Sequence, residues 1–311
     1  MAGHDSSRVV IAVLTYQRPG DLAEALPALV QQAETIDPPA DVLVIDNDPA
    51  GSAEQTVTGF GSPLLRYVHE PTPGIAAARN RALAESDHDL LVFIDDDERP
   101  SPDWLVQLLD VYRSSRPAAV AGRVISEYSV EPDDFIVAGR FFERLRHPTG
   151  SSVPAAATNN LLLDLAQVRA HGLTFDERLG LSGGSDNLFT RELVARGGRI
   201  LWCDEAFVVD VVPASRLTRT WVLRRAYRTG NTEARVSVDL AGGGARQTIA
   251  RLRETARGIV RLAGGGARWA VGVLKRSLGD RARGLRTISR GRGMIAGAWG
   301  RIYSEYARPA G

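Results

Sequence analysis

Two kinds of apolar pattern alternate along the first 120 residues. The runs RVVIAVLTY (residues 8–16), DVLVIDN (41–47) and DLLVFIDDD (89–97) are short and carry unbroken apolar stretches, as expected of strands buried on both faces, and LLRYVHE (64–70) reads as a further strand between the last two. Between them the apolar residues recur at helical spacing. Leu22, Leu26, Leu29 and Val30 share one face of DLAEALPALVQQA, with Asp21 placed to cap it. IAAARNRALAES follows PTPG, and SPDWLVQLLDVYRS offers Ser101 as N-cap with Pro102 at the first helical position. Strands alternating with helices predict right-handed crossovers and a mostly parallel, Rossmann-like α/β sheet flanked by helices.

Periodicity is weaker over residues 120–212. AVAGRVISEY and TNNLLLDL read as strands, a helix is expected to start near Ser185 after GLSGG, and RILWCDEAFVVDVVP reads as strand, turn and strand. TRTWVLRRAYRTGN is helical, and the remainder is arginine-rich, with two copies of AGGGAR (241–246 and 263–268) expected to divide it into helical pieces. The reading is a catalytic domain over residues 1–240, in halves of 1–119 and 120–240, followed by a basic helical extension over 241–311.

Charge sharpens that division. Residues 246–311 hold 15 basic and three acidic residues, a net +12, while residues 1–245 hold 23 against 34, a net −11, so the overall +1 conceals two opposed halves. The lone Cys203 excludes an internal disulfide and a cysteine-based zinc site. No stretch has the length of a spanning helix or of a signal-peptide core, so a cytoplasmic protein is expected.

The candidate chemistry lies where the predicted strands end, which in such sheets is where ligands collect. Asp95, Asp96, Asp97 and Glu98 crowd one strand end, where mutual repulsion opposes ionisation. The outer pair, Asp95 and Asp97, forms a D-x-D that can point to one side and hold Mg²⁺ or Mn²⁺, since a hard cation bridging a diphosphate needs only one or two protein carboxylates. The plainer alternative is a solvated acidic turn. Arg79 could pair with a phosphate or simply sit on a helix surface. Asp186, after Gly183 and Gly184, could act as a general base or as a helix cap.

Taken in order, LTYQRP, VLVIDNDP, EPTPGIAAARNRAL, LVFIDDDERPSPDWL, GGSD and RRAYRTGN resemble the inverting family 2 nucleotide-sugar glycosyltransferases of GT-A fold, and among them the bacterial succinoglycan-type polysaccharide enzymes. The resemblance covers about residues 8–231 and implies residue roles. Thr15, Tyr16 and Arg18 match the donor-nucleotide loop, Asp46 and Asn47 the position that reads the base, and Arg79 the diphosphate side. Asp95 and Asp97 match the metal motif, with Asp96 beside the donor. Asp186 matches the catalytic base, with Gly183, Gly184 and Ser185 on the acceptor side. Arg224, Arg225 and Arg228 match a basic helix near the leaving diphosphate. Two positions depart: Ser185 stands where glutamate is usual, and Val211 where many members carry a metal-binding histidine, so no third protein ligand is assigned.

The implied donor is a nucleotide-diphosphate sugar, with UDP or dTDP favoured. The implied acceptor is a saccharide, a lipid-linked sugar or a natural product. Asn160 and Trp202 are further acceptor-side candidates, and Trp104 either floors a sugar pocket or fills the core. His4, His69, His88, His147 and His171 lack metal-ligand spacing. The basic tail suggests peripheral membrane contact, a homodimer through its helices, or simple packing; no motif supports nucleic acid. A nucleotidyltransferase or a silent sugar-nucleotide scaffold remain alternative readings.

Overall fold

The computed structural model describes residues 7–303, so His4 lies outside the described residues. In chain order the elements are β1 (Val9–Thr15), α1 (Pro19–Glu34), β2 (Asp41–Asp46), α2 (Glu54–Phe60), β3 (Leu65–His69), α3 (Ile75–Glu85), β4 (Leu90–Asp95), β5 (Glu98–Pro100) and α4 (Trp104–Ser115). There follow β6 (Ala119–Tyr128), α5 (Asp134–Gly139), β7 (Asn160–Asp164), α6 (Leu165–Ala170), α7 (Ser185–Ala195), β8 (Ile200–Val212), α8 (Arg219–Leu240), α9 (Ala245–Leu274) and α10 (Leu278–Ala298).

Eight strands form one sheet in the order β3-β2-β1-β4-β7-β6-β8-β5. The first four are parallel, as the unbroken apolar runs of β1, β2 and β4 lead one to expect, while β3 is a partly exposed edge strand. Beyond β4 the sheet is mixed: β7 is antiparallel to β4 and to β6, and β5 is antiparallel to β8. Alternate residues serve the two faces. Ile11, Val13, Val44, Val92 and Ile94 pack with α1 and α4, while Ala12, Leu43, Ile45, Leu91 and Phe93 pack with α3 and the stacked pair Phe175 and Phe189. Register aligns the strand ends: Thr15 lies opposite Asp46, and Leu14 opposite Asp95.

Several local expectations change. Helix α1 starts at Pro19, so Asp21 sits in its first turn rather than capping it, and α4 has Asp103 rather than Ser101 at its N-cap. Residues 200–212 form one strand without a turn. The second AGGGAR lies inside the 30-residue helix α9 instead of ending a helix. The reason is packing. A Cβ on Gly265 would lie 2.9 Å from the Gly284 carbonyl oxygen, and Gly258 and Gly272, each seven residues away, are equally pressed against α10. The intrinsic weakness of glycine in helices is offset by close backbone approach.

The described chain divides into two compact units: residues 7–125, 144–181 and 185–210, which hold most of the sheet, and residues 126–143, 182–184 and 211–303. The second unit therefore joins α5 and α8 to the tail helices. Its apolar cluster includes Phe135, Phe142, Val222 and Ala282, and Asn231 on α8 donates to the Gly293 carbonyl of α10 at 3.4 Å.

Candidate active site

The parallel strands deliver their last residues to one edge of the first unit. Asp96, buried, accepts a 2.7 Å hydrogen bond from the Thr15 hydroxyl and a 3.3 Å bond from Arg18 Nη1, which also reaches Asp97 Oδ2 at 2.9 Å. The middle aspartate is thus tied inward to the β1 loop. That loop passes through Gln17 at φ 54°, a left-handed conformation rare for glutamine, and the Gln17 amide donates to Asp48 at 3.3 Å. Nothing in the residue type announces that conformation. Tyr16 is half-buried at the start of the same loop.

The remaining acids stay crowded. Burial, the Asp97 charge and Asp96 push the Asp95 carboxyl up to about 7 despite Arg79 and Arg18. Burial pushes Asp96 up to about 6, with the Thr15 bond and Arg18 opposing. Glu98, which the sequence reading left without a role, is buried and raised well above the usual range by burial and by Asp95; its Oε1 accepts from the Asn159 amide at 2.6 Å. Asp210 pairs in register with Glu98 across β5 and β8 and is held by Arg144. Asp210 was missed because only this antiparallel pairing brings it to the cluster.

Arg79 is buried on α3. Its guanidinium donates to Ser185 Oγ at 2.8 Å and lies 5.5 Å from the Phe175 ring centroid. Ser185, the unusual residue in its motif, is fully buried and accepts that bond where a glutamate would form an ion pair. Ile75 N donates to the Gly180 carbonyl at 3.3 Å, and Gly74, at φ 123°, approaches the Gly180 backbone so closely that a Cβ would lie 3.2 Å from it. These contacts join the starts of α3 and α7. Asp186 occupies the first turn of α7, half-buried, with one carboxylate oxygen accepting from the Asn187 backbone N–H at 2.8 Å. Gly183 and Gly184 take φ of 77° and 100°, which favours glycine at both positions.

Four more expected site residues, Asp46, Asn47, Asn160 and Trp202, turn inward. The Asp46 carboxylate accepts from Asp48 N, Ala53 N and the Tyr67 hydroxyl, which it helps to push far above its usual range. The Asn47 amide donates to the carbonyls of Glu70 and Thr72 and accepts from Gly74 N. Both side chains hold the loop. Asn160 is spent on the core: it accepts from the Trp104 indole at 2.9 Å and donates to the carbonyls of Arg123 and Ala206 at 2.9 Å each. Trp202 is buried, packed edge-on with His147, so neither it nor Asn160 presents a group to an acceptor. Trp104 is wholly buried and belongs to the core.

In the second unit, Arg224 and Arg228 lie one turn apart on α8, and Arg225 sits over Phe142 and Trp221. Val211 is exposed. His69 and His88 make structural contacts with the Asp48 carbonyl and the Asp41 carboxylate. Among the described residues no group of three or more His, Cys, Asp or Glu is gathered as a metal site.

A model of glycosyl transferase family 2 matches residues 10–164. The succinoglycan biosynthesis protein ExoM of Rhizobium meliloti (strain 1021) is 34% identical over 243 residues, covering 77% of this chain and 78% of that protein. The chain belongs to glycosyl transferase family 2. The glycosyltransferase is also 28% identical over 200 residues to the pre-mycofactocin glycosyltransferase of Mycobacterium tuberculosis (strain ATCC 25618 / H37Rv), across 61% of this chain and 41% of that one. Among solved structures, the mannosyltransferase PcManGT from Pyrobaculum calidifontis, in complex with GDP-Man and Mn²⁺, aligns with a TM-score of 0.62 at 17% identity over 94% of this chain and 87% of that chain. TarS 1-349 of S. aureus, in complex with UDP-GlcNAc, aligns with a TM-score of 0.52 at 15% identity over 78% and 69%. At these identities the likeness establishes the α/β GT-A fold. The D-x-D, Arg79 and the strand-end loops all fall within the family match.

Proposed function

We propose that this glycosyltransferase moves a sugar from a nucleotide-diphosphate donor, a UDP- or dTDP-sugar first, to an acceptor hydroxyl with inversion, in the assembly of a bacterial polysaccharide or a related glycoconjugate. The reading of polysaccharide assembly rests on similarity to ExoM. The observation that carries the chemistry is the crowding of Asp95, Asp96, Asp97 and Glu98 at the sheet edge, where Asp95 is pushed up to about 7. Such a cluster is short of positive charge, and it suits Mg²⁺ or Mn²⁺ with Asp95 and Asp97 as the protein ligands. When bound, the cation supplies positive charge against the negative charge developing on the departing diphosphate.

The chain's own residues do the rest. Thr15 and Arg18 fix Asp96 and the donor loop; Arg79, locked by Ser185 and Phe175, offers a preorganised positive charge on the phosphate side. Asp186 takes the proton of the acceptor hydroxyl as the acceptor oxygen bonds to the anomeric carbon opposite the leaving group, the bond to the diphosphate breaks, and a single displacement inverts the configuration. Asp186→Asn tests this directly. It should leave donor binding intact and slow transfer by about 100-fold or more, the range for losing a general base, and NMR of the wild-type product should show the inverted anomer. A retained configuration, or a near-normal rate in Asp186→Asn, contradicts the mechanism.

A further inference from the structure

The outer face of α9 has no role in the chemistry above. This helix runs 30 residues, about 45 Å at 1.5 Å per residue. One stripe, centred on Gly258, Gly265 and Gly272, is buried against α10. Nearly opposite it, Ile249, Leu252, Ile259, Val260 and Leu274 fall in one sector about 100° wide at 3.6 residues per turn. All five are exposed, Val260 at 71% and Leu274 at 84%. Only small residues, among them Ala256, Ala263, Ala267 and Ala270, interrupt the sector. Along one flank runs a basic row, Arg246, Arg253 and Lys275, continued by Arg257, which is paired with Glu254, and by Arg268, which is paired with Asp280 of α10 at 3.1 Å. The helix has a single acid, Glu254, which is buried and neutralised by Arg257 at 2.7 Å.

We infer that this face of α9 lies flat on an anionic lipid surface, with the aliphatic sector in the headgroup boundary and the basic row on lipid phosphates. Charge decides the occupant. A second copy laid across the sector would set one basic row near another, with no exposed acid on α9 to relieve the repulsion. A nucleic acid would satisfy the arginines but leave the aliphatic sector against phosphate. An interfacial amphipathic helix needs this combination of apolar sector, basic border and absent acids. No helix among the described residues is long and apolar enough to cross a membrane, so the contact is peripheral. The inference is independent of the donor and metal assignments.

The test is co-sedimentation of the full chain with vesicles of phosphatidylcholine alone and of equimolar phosphatidylcholine and phosphatidylglycerol. Wild type should partition onto the anionic vesicles and release in 1 M salt, where the screening length falls to about 3 Å. Arg246→Gln/Arg253→Gln/Lys275→Gln should weaken partition about 100-fold, from about tenfold or less per charge near the surface. Ile249→Ser/Ile259→Ser/Val260→Ser should weaken it by about tenfold or more through lost apolar burial. All six side chains are exposed, so the melting temperature should hold. Equal binding to both vesicles, no binding to either, or wild-type binding by both triple variants overturns the inference. So does a two-copy mass in light scattering that the serine variant abolishes, which would make a second copy the occupant.

Discussion

Asp95 should weaken the metal-free enzyme as pH rises. Its carboxyl is pushed up to about 7, first by burial and then by Asp97. The folded state therefore binds a proton more tightly than the unfolded chain, and stability present at low pH is lost as pH climbs from the ordinary carboxylate range through about 7. The displacement sets a ceiling of about 4 kcal/mol. Asp95 keeps some solvent contact, which screens it and leaves about 1–2 kcal/mol. Asp95→Asn removes the charge while keeping the shape. In chelator-treated buffer it should melt only slightly above wild type at pH 5 and roughly 2–8 °C above it at pH 8, the offset growing with pH, at about 2–4 °C per kcal/mol for a unit of this size. Added Mn²⁺ should then raise the wild-type melting point at pH 8 but not that of the variant. Thermal melts over pH 5–8 read all of this. A variant less stable than wild type at pH 8, or an offset that does not change with pH, would refute the reasoning.

Asn160→Ala strands the Trp104 indole N–H and two carbonyls in the core and should cost about 2–3 kcal/mol in urea unfolding, with donor affinity unchanged in the folded fraction. In the tail, Gly291→Val puts a branched side chain where a Cβ already lies 2.7 Å from the Gly258 carbonyl oxygen, and should destabilise by about 1–3 kcal/mol. Gly264→Ala, with open space around it in the same helical pair, should instead stabilise by about 0.5–1 kcal/mol.

What could be read ahead of the structure follows the strength of the local signal. The unbroken runs at β1, β2 and β4 located the parallel half of the sheet, and the polar residues after them located the site edge, because burial on both faces leaves no alternation to mistake. The antiparallel half was harder. The turn expected within residues 200–212 is absent because Asp204 and Glu205 sit on a long strand with exposed positions, and polar residues there resemble a turn. Side-chain direction was not legible at all. Asn47 and Asn160 look alike in sequence to ligand-facing amides, yet loop and core carbonyls claim both. Gly265 reads as a helix breaker until its neighbour across the seam is known. Ser185 stood out only as a departure from its motif, and the Arg79 bond gives that departure a physical meaning.

The central claim is that Asp95 and Asp97 recruit the donor through a divalent cation. Calorimetric titration of UDP-, dTDP- and GDP-sugars into the wild type and Asp97→Ala, each with Mn²⁺ and with chelator, tests it most directly. The account predicts tight binding of one donor by wild type with Mn²⁺, and weak binding both in chelator and by Asp97→Ala under either condition. Equal affinity with Mn²⁺ and with chelator in the wild type would contradict it.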